Sequence, residues 1–346
     1  MIQSVTVVMP AFRAVATLNT ALQSLLDQTD RPDFYEIIVV DDASPDETAA
    51  MAEAFIPKAA QCNIDMKVHR LDQNGGPARA RNTGAKEARG EVIIFTDSDC
   101  ELTPTWLREM LLGFDNPKIA AVKGAYLSRQ TELGARFAQA EFEERYALLR
   151  KADHVDVVFS YSAAFRRDVF AELNGFDTRF PVADNEDTDL SWRLTEAGHK
   201  AVFRPEAKLY HRHPSSLYQY YRKKISRGYW RMVVYRRFPG KAVKDSYTPQ
   251  SLKLQILLAY LSLSAVLLTP FISGIMVLFW VCVVTFFLST LPFAINTLRK
   301  DPLIGLLSPV LLLGRAFAIG AGVLMALPRI VRTDPFAQPD SDANQT

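Results

Sequence analysis

The sequence predicts an α/β fold in which a mostly parallel sheet is flanked by helices, followed by C-terminal membrane helices. Three observations support this prediction. Short apolar runs alternate with helix-patterned segments through the first 100 residues. No charged residue occurs at the 45 positions 254–298. The net charge of +2 on the 346 residues is unevenly distributed, with a basic segment directly before the uncharged stretch.

The first four strands are predicted from apolar runs, namely 5–9, 36–40, 66–70 and 91–96. Leucines at helical spacing predict a helix over 16–27, and a second helix begins near Asp46. Strands that alternate with helices form a mostly parallel sheet with helices on both faces. In such sheets ligands bind beyond the carboxyl ends of the strands.

Acidic residues follow two of these strands. Asp41 and Asp42 come after the second strand, and Asp97, Ser98 and Asp99 come after the fourth. Helix capping alone can explain an aspartate at such a junction, and this interpretation stays open for Asp41. Two carboxylates one residue apart repel each other unless a cation holds them, and oxygen ligands suit Mg²⁺ or Mn²⁺. The sequence therefore predicts a divalent ion that bridges a diphosphate at the carboxyl ends of these strands.

The uncharged stretch is long enough for two membrane spans, since one span needs about 20 residues. We expect spans at about 254–270 and 274–297, within a membrane domain over 251–330. A third apolar run, 303–327, has Arg315 at its centre. A central arginine costs about 3 kcal/mol on insertion. For this run a spanning, a re-entrant and an interfacial placement all stay open.

The charge is divided between an acidic body and a basic segment. Residues 1–200 carry −10, residues 201–250 carry +10 and residues 251–346 carry +2. The basic segment, predicted as interfacial helices over 216–250, contains Arg222, Lys223, Lys224, Arg227, Arg231, Arg236, Arg237, Lys241 and Lys244. Basic residues beside spans mark the cytoplasmic side and attract anionic lipid head groups.

The expected organisation is a cytoplasmic domain over 1–215 attached to the inner (plasma) membrane, because the first residues lack the features of a signal peptide. Residues 331–346 are expected to form a disordered tail. No nucleic-acid-binding motif is present, so membrane lipid is the expected partner of the basic segment and nucleic acid is not.

Six motifs occur in order along the chain: VVMPAF (7–12), VVDDASPDET (39–48), NGGPARARNTG (74–84), TDSDC (96–100), EDTDLSWRL (186–194) and HRH (211–213). Together they resemble the signatures of family 2 glycosyltransferases, the inverting GT-A group, over about residues 4–235. The resemblance implies a Rossmann-like GT-A fold and a nucleotide-sugar donor. A UDP-sugar is expected ahead of a GDP-sugar.

The resemblance also implies roles for individual residues. The donor would bind to Pro10, Ala11, Phe12, Asp41, Asp42, Gly76, Arg79, Asp97 and Ser98. Asp99 would hold Mg²⁺ or Mn²⁺, and His211 or His213 would complete the metal shell unless these histidines are structural. Arg81 would either serve the nucleotide as Arg79 does or form a salt bridge.

Asp187 matches the family position of the general base. An inverting transfer needs a carboxylate that takes the proton from the acceptor hydroxyl. A phosphate acceptor is already ionised and needs no base, so the pair Glu186 and Asp187 favours a hydroxyl on a saccharide or a lipid-linked sugar. A helix-dipole role for Glu186 stays open. The alternative function is a polyprenyl-phosphate glycosyltransferase similar to dolichol-phosphate-mannose synthase.

The acceptor side is expected to include Ser162, Ala163, Glu186 and Trp230. The stretch 227–231 departs from the QxxRW motif of processive synthases, which favours addition of a single sugar. Two functions from other classes are a nucleotidyltransferase and a non-enzymatic membrane scaffold. The first would need a glycine-rich loop with a lysine near the first strand, and 11–14 contains no glycine.

Overall fold

The computed structural model describes residues 2–180 and 184–331. Its strands are β1 (Ser4–Ala11), β2 (Phe34–Asp41), β3 (Asp65–Arg70), β4 (Val92–Thr96), β5 (Glu101–Leu102), β6 (Ile119–Leu127), β7 (Ser162–Arg166) and β8 (Lys200–Tyr210). The helices are α1 (Leu18–Leu26), α2 (Thr48–Glu53), α3 (Ile56–Gln61), α4 (Gly76–Glu87), α5 (Trp106–Leu112), α6 (Leu133–Leu149), α7 (Arg167–Glu172), α8 (Glu186–Glu196), α9 (Leu217–Arg237), α10 (Pro239–Val243), α11 (Gln250–Leu268), α12 (Ile275–Leu298) and α13 (Pro302–Ile330).

The sheet has eight strands in the order β3-β2-β1-β4-β7-β6-β8-β5. The four predicted strands are adjacent and parallel, from β3 through β2 and β1 to β4. β6 and β8 are also parallel, whereas β7 runs antiparallel to both β4 and β6, and β5 runs antiparallel to β8. The sheet is therefore mixed, with its predicted parallel half carrying the acidic strand ends.

Helix α4 packs closely on this parallel half. A Cβ added to Gly84 would lie 2.5 Å from a methyl group of Val8 and 3.1 Å from one of Val40, so only glycine allows this approach. Both valines are fully buried in the strands below. The close packing holds the first turns of α4, which carry Arg79 and Arg81, next to the carboxyl ends of the strands.

Three helices, α11, α12 and α13, are long and apolar enough to cross a membrane. Helix α13 takes in the whole third apolar run. Its central Arg315 is 2% exposed, lies 2.9 Å from Glu141 of α6, and donates to the Gln255 side chain of α11 at 2.7 Å. The insertion cost expected from the sequence is therefore offset by an acid from the N-terminal domain. The predicted tail lies, apart from Val331, outside the described residues.

Candidate active site

The carboxyl ends of β1 and β2 meet at one edge of the sheet, where Ala11 is in register with Asp41. Pro10 and Ala11 are buried, while the next residue, Phe12, is 44% exposed. Asp41 is fully buried and accepts from the Ser44 amide at 3.2 Å through Oδ2. Its Oδ1 has no hydrogen-bond partner among the described residues. This buried oxygen therefore has an unused acceptor position.

Asp42 has a different environment. Its two carboxylate oxygens accept from the backbone amides of Gly75 and Gly76, each at 2.8 Å. Gly76 has a φ of +80°, which suits glycine. Asp42 therefore ties the end of β2 to the start of α4, while the nearby Arg79 is exposed.

Asp97 and Asp99 lie directly after β4, with the half-exposed Ser98 between them. Ligand atoms of Asp97, Asp99 and Cys100 lie within 4.8 Å of one another. Burial raises the pKa of the Cys100 thiol well above its usual value, so it is protonated and does not suit a hard cation. Asp99 Oδ2 lies 3.4 Å from His211 Nε2. The two carboxylates fit Mg²⁺ or Mn²⁺ by ligand type, whereas the imidazole is a softer ligand than these ions prefer.

The two predicted histidines have different surroundings. His211 faces Asp99 and stacks on Tyr126. His213 points its Nε2 at Gln139 Oε1, 3.0 Å away, and its ring stacks on Phe142. Burial, with the cations around it, lowers the pKa of His213 to about 3. The structure thus brings His211, and not His213, to the acidic pair.

Arg81 joins the two halves of the site. Its buried guanidinium donates to Asp97 at 2.8 Å and to Glu186 at 3.0 Å. Burial by itself would lower the pKa of Arg81, but the charges of Asp97 and Glu186 outweigh burial and raise it. Of the two alternatives for Arg81, the structure shows the salt bridge, and this salt bridge connects acids on opposite sides of the site.

Glu186 and Asp187 form the first turn of α8, after Asn185 in a left-handed conformation with φ of 70°. Burial and the neighbouring Asp187 raise the pKa of Glu186 to about 8, against the opposing charge of Arg81. Burial also raises the pKa of Asp187. Asp187 accepts from the Thr188 amide at 2.7 Å. A carboxylate with a raised pKa is a stronger base, which suits proton abstraction.

A cavity of about 420 Å³ opens beside these acids. Asp97, Asp187 and His211 line one end of it. Apolar residues of the C-terminal helices line it further on, namely Leu252 and Ile256 of α11 and Ile319 and Val323 of α13. The cavity therefore runs from the acidic strand ends to the apolar helices.

Three residues expected on the acceptor side are not in this cavity. Ser162 and Ala163 are fully buried because β7 lies in the middle of the sheet, and the Ser162 hydroxyl accepts from Trp106 at 2.8 Å. Trp230 is 7% exposed and packs against Phe180 on another face of α9. Within the described chain, Ser160 and Tyr161 line the cavity where Ser162 and Ala163 were expected.

The basic segment also departs from expectation. Lys224, Arg227 and Arg231 line the cavity and are buried or half-buried, and the exposed Lys223 lies at the cavity as well. Further along, Arg237 pairs with Asp177 and Asp189, and Lys241 pairs with Asp156. Much of the positive charge predicted to contact lipid head groups is therefore directed into the protein. Sequence spacing contained a signal for this arrangement, since 223, 227 and 231 repeat at every fourth position.

Comparison with known proteins identifies the family. The family model described as "Glycosyl transferase family 2" matches residues 6–173. A second family model, "Glycosyl transferase family group 2", matches residues 92–298, which is more than half of the chain. The chain belongs to the family 2 glycosyltransferases. Helices α11 and α12 fall inside the second match, so the apolar hairpin is part of the similarity.

Two curated relatives of this family 2 glycosyltransferase are similar over 65% and 60% of the chain. The pre-mycofactocin glycosyltransferase of Mycobacterium tuberculosis is 29% identical over 232 residues, 65% of this chain and 46% of the relative. The O-antigen chain rhamnosyltransferase RfbN of Salmonella typhimurium is 30% identical over 218 residues, 60% of this chain and 66% of the relative. The chain thus spans about half the length of the first relative and about two thirds of the second.

Among solved structures, a mannosyltransferase from Pyrobaculum calidifontis, determined with GDP-mannose and Mn²⁺, superposes with a TM-score of 0.61. The superposition covers 93% of this chain and 86% of that one at 18% identity. At this identity the likeness establishes the fold, which is the expected GT-A fold.

Proposed function

We propose that this chain is a membrane-anchored, inverting glycosyltransferase. It transfers one sugar from a nucleotide-diphosphate sugar to a hydroxyl of a lipid-linked or saccharide acceptor at the cytoplasmic face of the inner membrane. The observation that carries the proposal is the link made by Arg81. One guanidinium contacts Asp97 at the strand ends and Glu186 beside the base, so a donor and an acceptor would meet across this residue.

The donor is assigned to the strand ends. Asp41 offers an unpartnered buried oxygen beside the exposed Phe12, which suits a nucleoside. Asp99, with Asp97 and His211 next to it, would hold Mg²⁺ or Mn²⁺, which when bound neutralises charge on the departing diphosphate. We propose a UDP-sugar ahead of a GDP-sugar, and the GDP-mannose and Mn²⁺ of the archaeal structure support the class of donor and of metal.

The transfer is a single displacement. The acceptor oxygen forms a bond to the anomeric carbon as the bond from that carbon to the diphosphate oxygen breaks. Asp187 takes the hydroxyl proton, and the nucleoside diphosphate leaves with the bonding electron pair. Because one base serves one attack from the face opposite the leaving group, the anomeric configuration inverts. Arg81 keeps a positive charge between the carboxylates throughout.

The membrane attachment follows from the C-terminal helices. We propose that α11 and α12 form a hairpin of two spans, with Lys253 in the first turn of α11 and Arg299 directly after α12 on the cytoplasmic side. The acidic domain then lies against the bilayer with its cavity directed to the helices. The O-antigen rhamnosyltransferase among the relatives supports a role in making a cell-envelope polysaccharide or glycolipid.

The test uses the full chain in detergent with labelled UDP- and GDP-sugars, Mn²⁺, and sugar-hydroxyl and polyprenyl-phosphate acceptors. We expect Asp187→Asn to lower transfer to a hydroxyl by about 10²–10⁴-fold, the usual size of a general-base contribution. Nucleotide binding should be unchanged. Glu196→Gln, at an exposed position on the same helix, is the matched control and should retain full activity.

Full activity of the Asp187→Asn enzyme would contradict the hydroxyl-acceptor mechanism. If only the polyprenyl phosphate accepted sugar, and did so without Asp187, the alternative function would replace the one proposed. Absence of any nucleotide binding with Mn²⁺ would favour a scaffold over an enzyme.

A further inference from the structure

Three basic residues, Lys223, Arg227 and Arg231, repeat at every fourth position of α9, and we call them the α9 stripe. Residues four apart on a helix lie on the same face. All three line the cavity. No carboxylate lies within salt-bridge distance of any of them in residues 2–180 and 184–331. Acids also line this cavity, Asp184 and Asp187 among them, but none forms a salt bridge with the stripe. A bound anion would therefore pair with cations that the described residues leave without a salt bridge.

The end of the stripe is closed in by protein. Arg231 packs its guanidinium over Trp192, 5.3 Å away, and Tyr235, 5.8 Å away. Its Nη1 is buried and has no hydrogen-bond partner within the described chain. A buried guanidinium nitrogen without an acceptor is costly, and a ligand oxygen would satisfy it.

The nearby acids form no salt bridge with the stripe in the described residues. Asp184 accepts from the Ser226 hydroxyl at 2.5 Å, and burial raises its pKa despite the neighbouring cations. Glu141 is already shared by Lys224, at 2.7 Å, and two arginines. The pKa of Lys223 is lowered, first by the charge of Arg227 and then by burial. Asp184, Asp99 and Asp97 oppose these effects on Lys223 through their charges, but the pKa stays lowered, so the stripe still has room for an anion.

The two ends of the stripe face different surroundings. At one end, the charges of Asp97 and Asp99 act on Lys223. Gly228, between the other two cations, packs against Ile319 of α13, where a Cβ would lie 2.4 Å from the carbonyl oxygen. The Arg227 and Arg231 end therefore lies beside the apolar part of the cavity.

We propose that the α9 stripe binds the phosphate or diphosphate of a polyprenyl-type lipid, whose hydrocarbon chain contacts Leu252 and Ile256 of α11. This inference rests on the proposed function and names its acceptor class. A lipid-linked sugar would place its phosphates on Arg227 and Arg231 and its hydroxyl towards Asp187. The cavity provides the two components such an acceptor requires, cations and an apolar wall.

The experiment measures binding of farnesyl diphosphate, farnesol and inorganic diphosphate to the full chain in detergent, with Mn²⁺ and saturating UDP and GDP present. We expect farnesyl diphosphate to bind more tightly than either of the other two probes. Arg231→Gln should weaken it about tenfold or more, as expected for loss of one charge-assisted hydrogen bond. Arg231→Lys should restore part of the affinity. Arg222→Gln, at an exposed position on the same helix outside the cavity, should have no effect.

Displacement of farnesyl diphosphate by UDP or GDP would overturn the inference, because the stripe would then serve the donor diphosphate. Equal affinity for inorganic and farnesyl diphosphate would show that the hydrocarbon chain does not contribute to binding. Equal affinity of the Arg231→Gln and unmodified proteins for farnesyl diphosphate would show that the α9 stripe does not bind it. Nucleotide binding, measured in the same samples, reports separately on the proposed function. A sugar-transfer assay with polyprenyl phosphate and with a polyprenyl-diphosphate sugar then distinguishes the two sources of phosphate.

A second, independent observation concerns α13. Near its start, Asp301 accepts from Arg136 of α6 at 2.6 and 2.8 Å. At its other end the carbonyl of Ile330 accepts from Arg236 of α9. A helix of 29 residues is about 43 Å long, more than the thickness of the hydrocarbon core. Both ends nevertheless contact parts of the chain that lie outside the membrane.

The middle of α13 shows the same arrangement. Tyr221 of α9 donates to the carbonyl of Leu311 at 3.2 Å, and a Cβ on Gly322 would lie 2.1 Å from the carbonyl oxygen of Ile225. Helix α9 carries seven basic residues and cannot cross a bilayer. Since α13 follows α9 along its length, we infer that α13 lies in the plane of the membrane interface and does not span it. Its exposed apolar residues, such as Leu306 and Val310, then contact lipid.

The test locates both termini of the full chain in cells. Reporters fused to the N-terminus and to the C-terminus should be found on the same side of the membrane. Ser273→Cys, in the exposed turn between α11 and α12, should react with an impermeant maleimide from the opposite side. Termini on opposite sides would show that α13 spans and would overturn the inference.

Discussion

The guanidinium of Arg81 lies 3.0 Å from the carboxylate of Glu186, although 105 positions separate the two residues. The same guanidinium contacts Asp97 at 2.8 Å. Helix α4, the end of β4 and the start of α8 are thereby joined by one buried charge. This contact joins the two halves of the candidate site, and its charge lowers the pKa of Glu186 and of Asp187 against the effect of burial.

Replacing Arg81 should shift the pH dependence of transfer. Its charge lowers the pKa of both Glu186 and Asp187, so Arg81→Met should raise both pKa values. Because the base acts when deprotonated, the acid limb of kcat/KM should move to higher pH. Arg81→Lys, which keeps the charge, should shift it less. Acid limbs that superimpose for Arg81→Met and the unmodified enzyme would contradict this role.

Metal binding should depend on Asp99. Asp99→Asn keeps the shape but removes the charge, and we expect Mn²⁺ affinity to fall by at least about tenfold, measured by calorimetry with UDP or GDP present. Asp115→Asn, an exposed acid far from the strand ends, is the control and should bind Mn²⁺ normally. Equal affinity in the two variants would exclude Asp99 as the ligand.

Removing the acid from the cluster around Glu141 should destabilise the fold more than removing one of its cations. Lys224, Arg145 and Arg315 all pair with this one acid, and although burial would raise the pKa of Glu141, these cations lower it well below its usual value. Glu141→Gln leaves the buried cations uncompensated and should cost about 3–5 kcal/mol of stability. Arg315→Met should cost less, because Glu141 keeps two partners. Thermal unfolding of the full chain in detergent measures both, and equal midpoints would contradict the argument.

Acid stability should depend on Asp177. Burial would raise its pKa, but Arg179 and Arg237 outweigh burial and hold the pKa at about 2. A carboxyl with a depressed pKa stabilises the fold above its unfolded value of 3.8, and this contribution is lost as the pH falls from 3.8 towards 2. Asp177→Asn should lose roughly 2 kcal/mol at neutral pH and show a flatter acid transition. Identical pH profiles of the unfolding midpoint would contradict this expectation.

Much of the candidate site was predictable because local sequence patterns determine where its residues lie. Parallel strands bring their carboxyl ends to one edge, so the positions of Asp41, Asp97 and Asp99 follow from where apolar runs end. The first turn of an amphipathic helix likewise locates Asp187. Motif position did not predict where the side chains of Ser162 and Trp230 lie. Whether these side chains face a cavity or the core depends on which strand or helix packs over them.

The sequence by itself determined the acidic strand ends, the apolar helices and the basic segment before them, because periodicity and charge are local properties of a chain. Only the tertiary structure decided the partners of the buried charges. Arg315 finds Glu141 across 174 positions, and the α9 stripe faces a cavity instead of lipid. A buried charge is stable only with a partner or a ligand, and packing chooses that partner from anywhere in the chain.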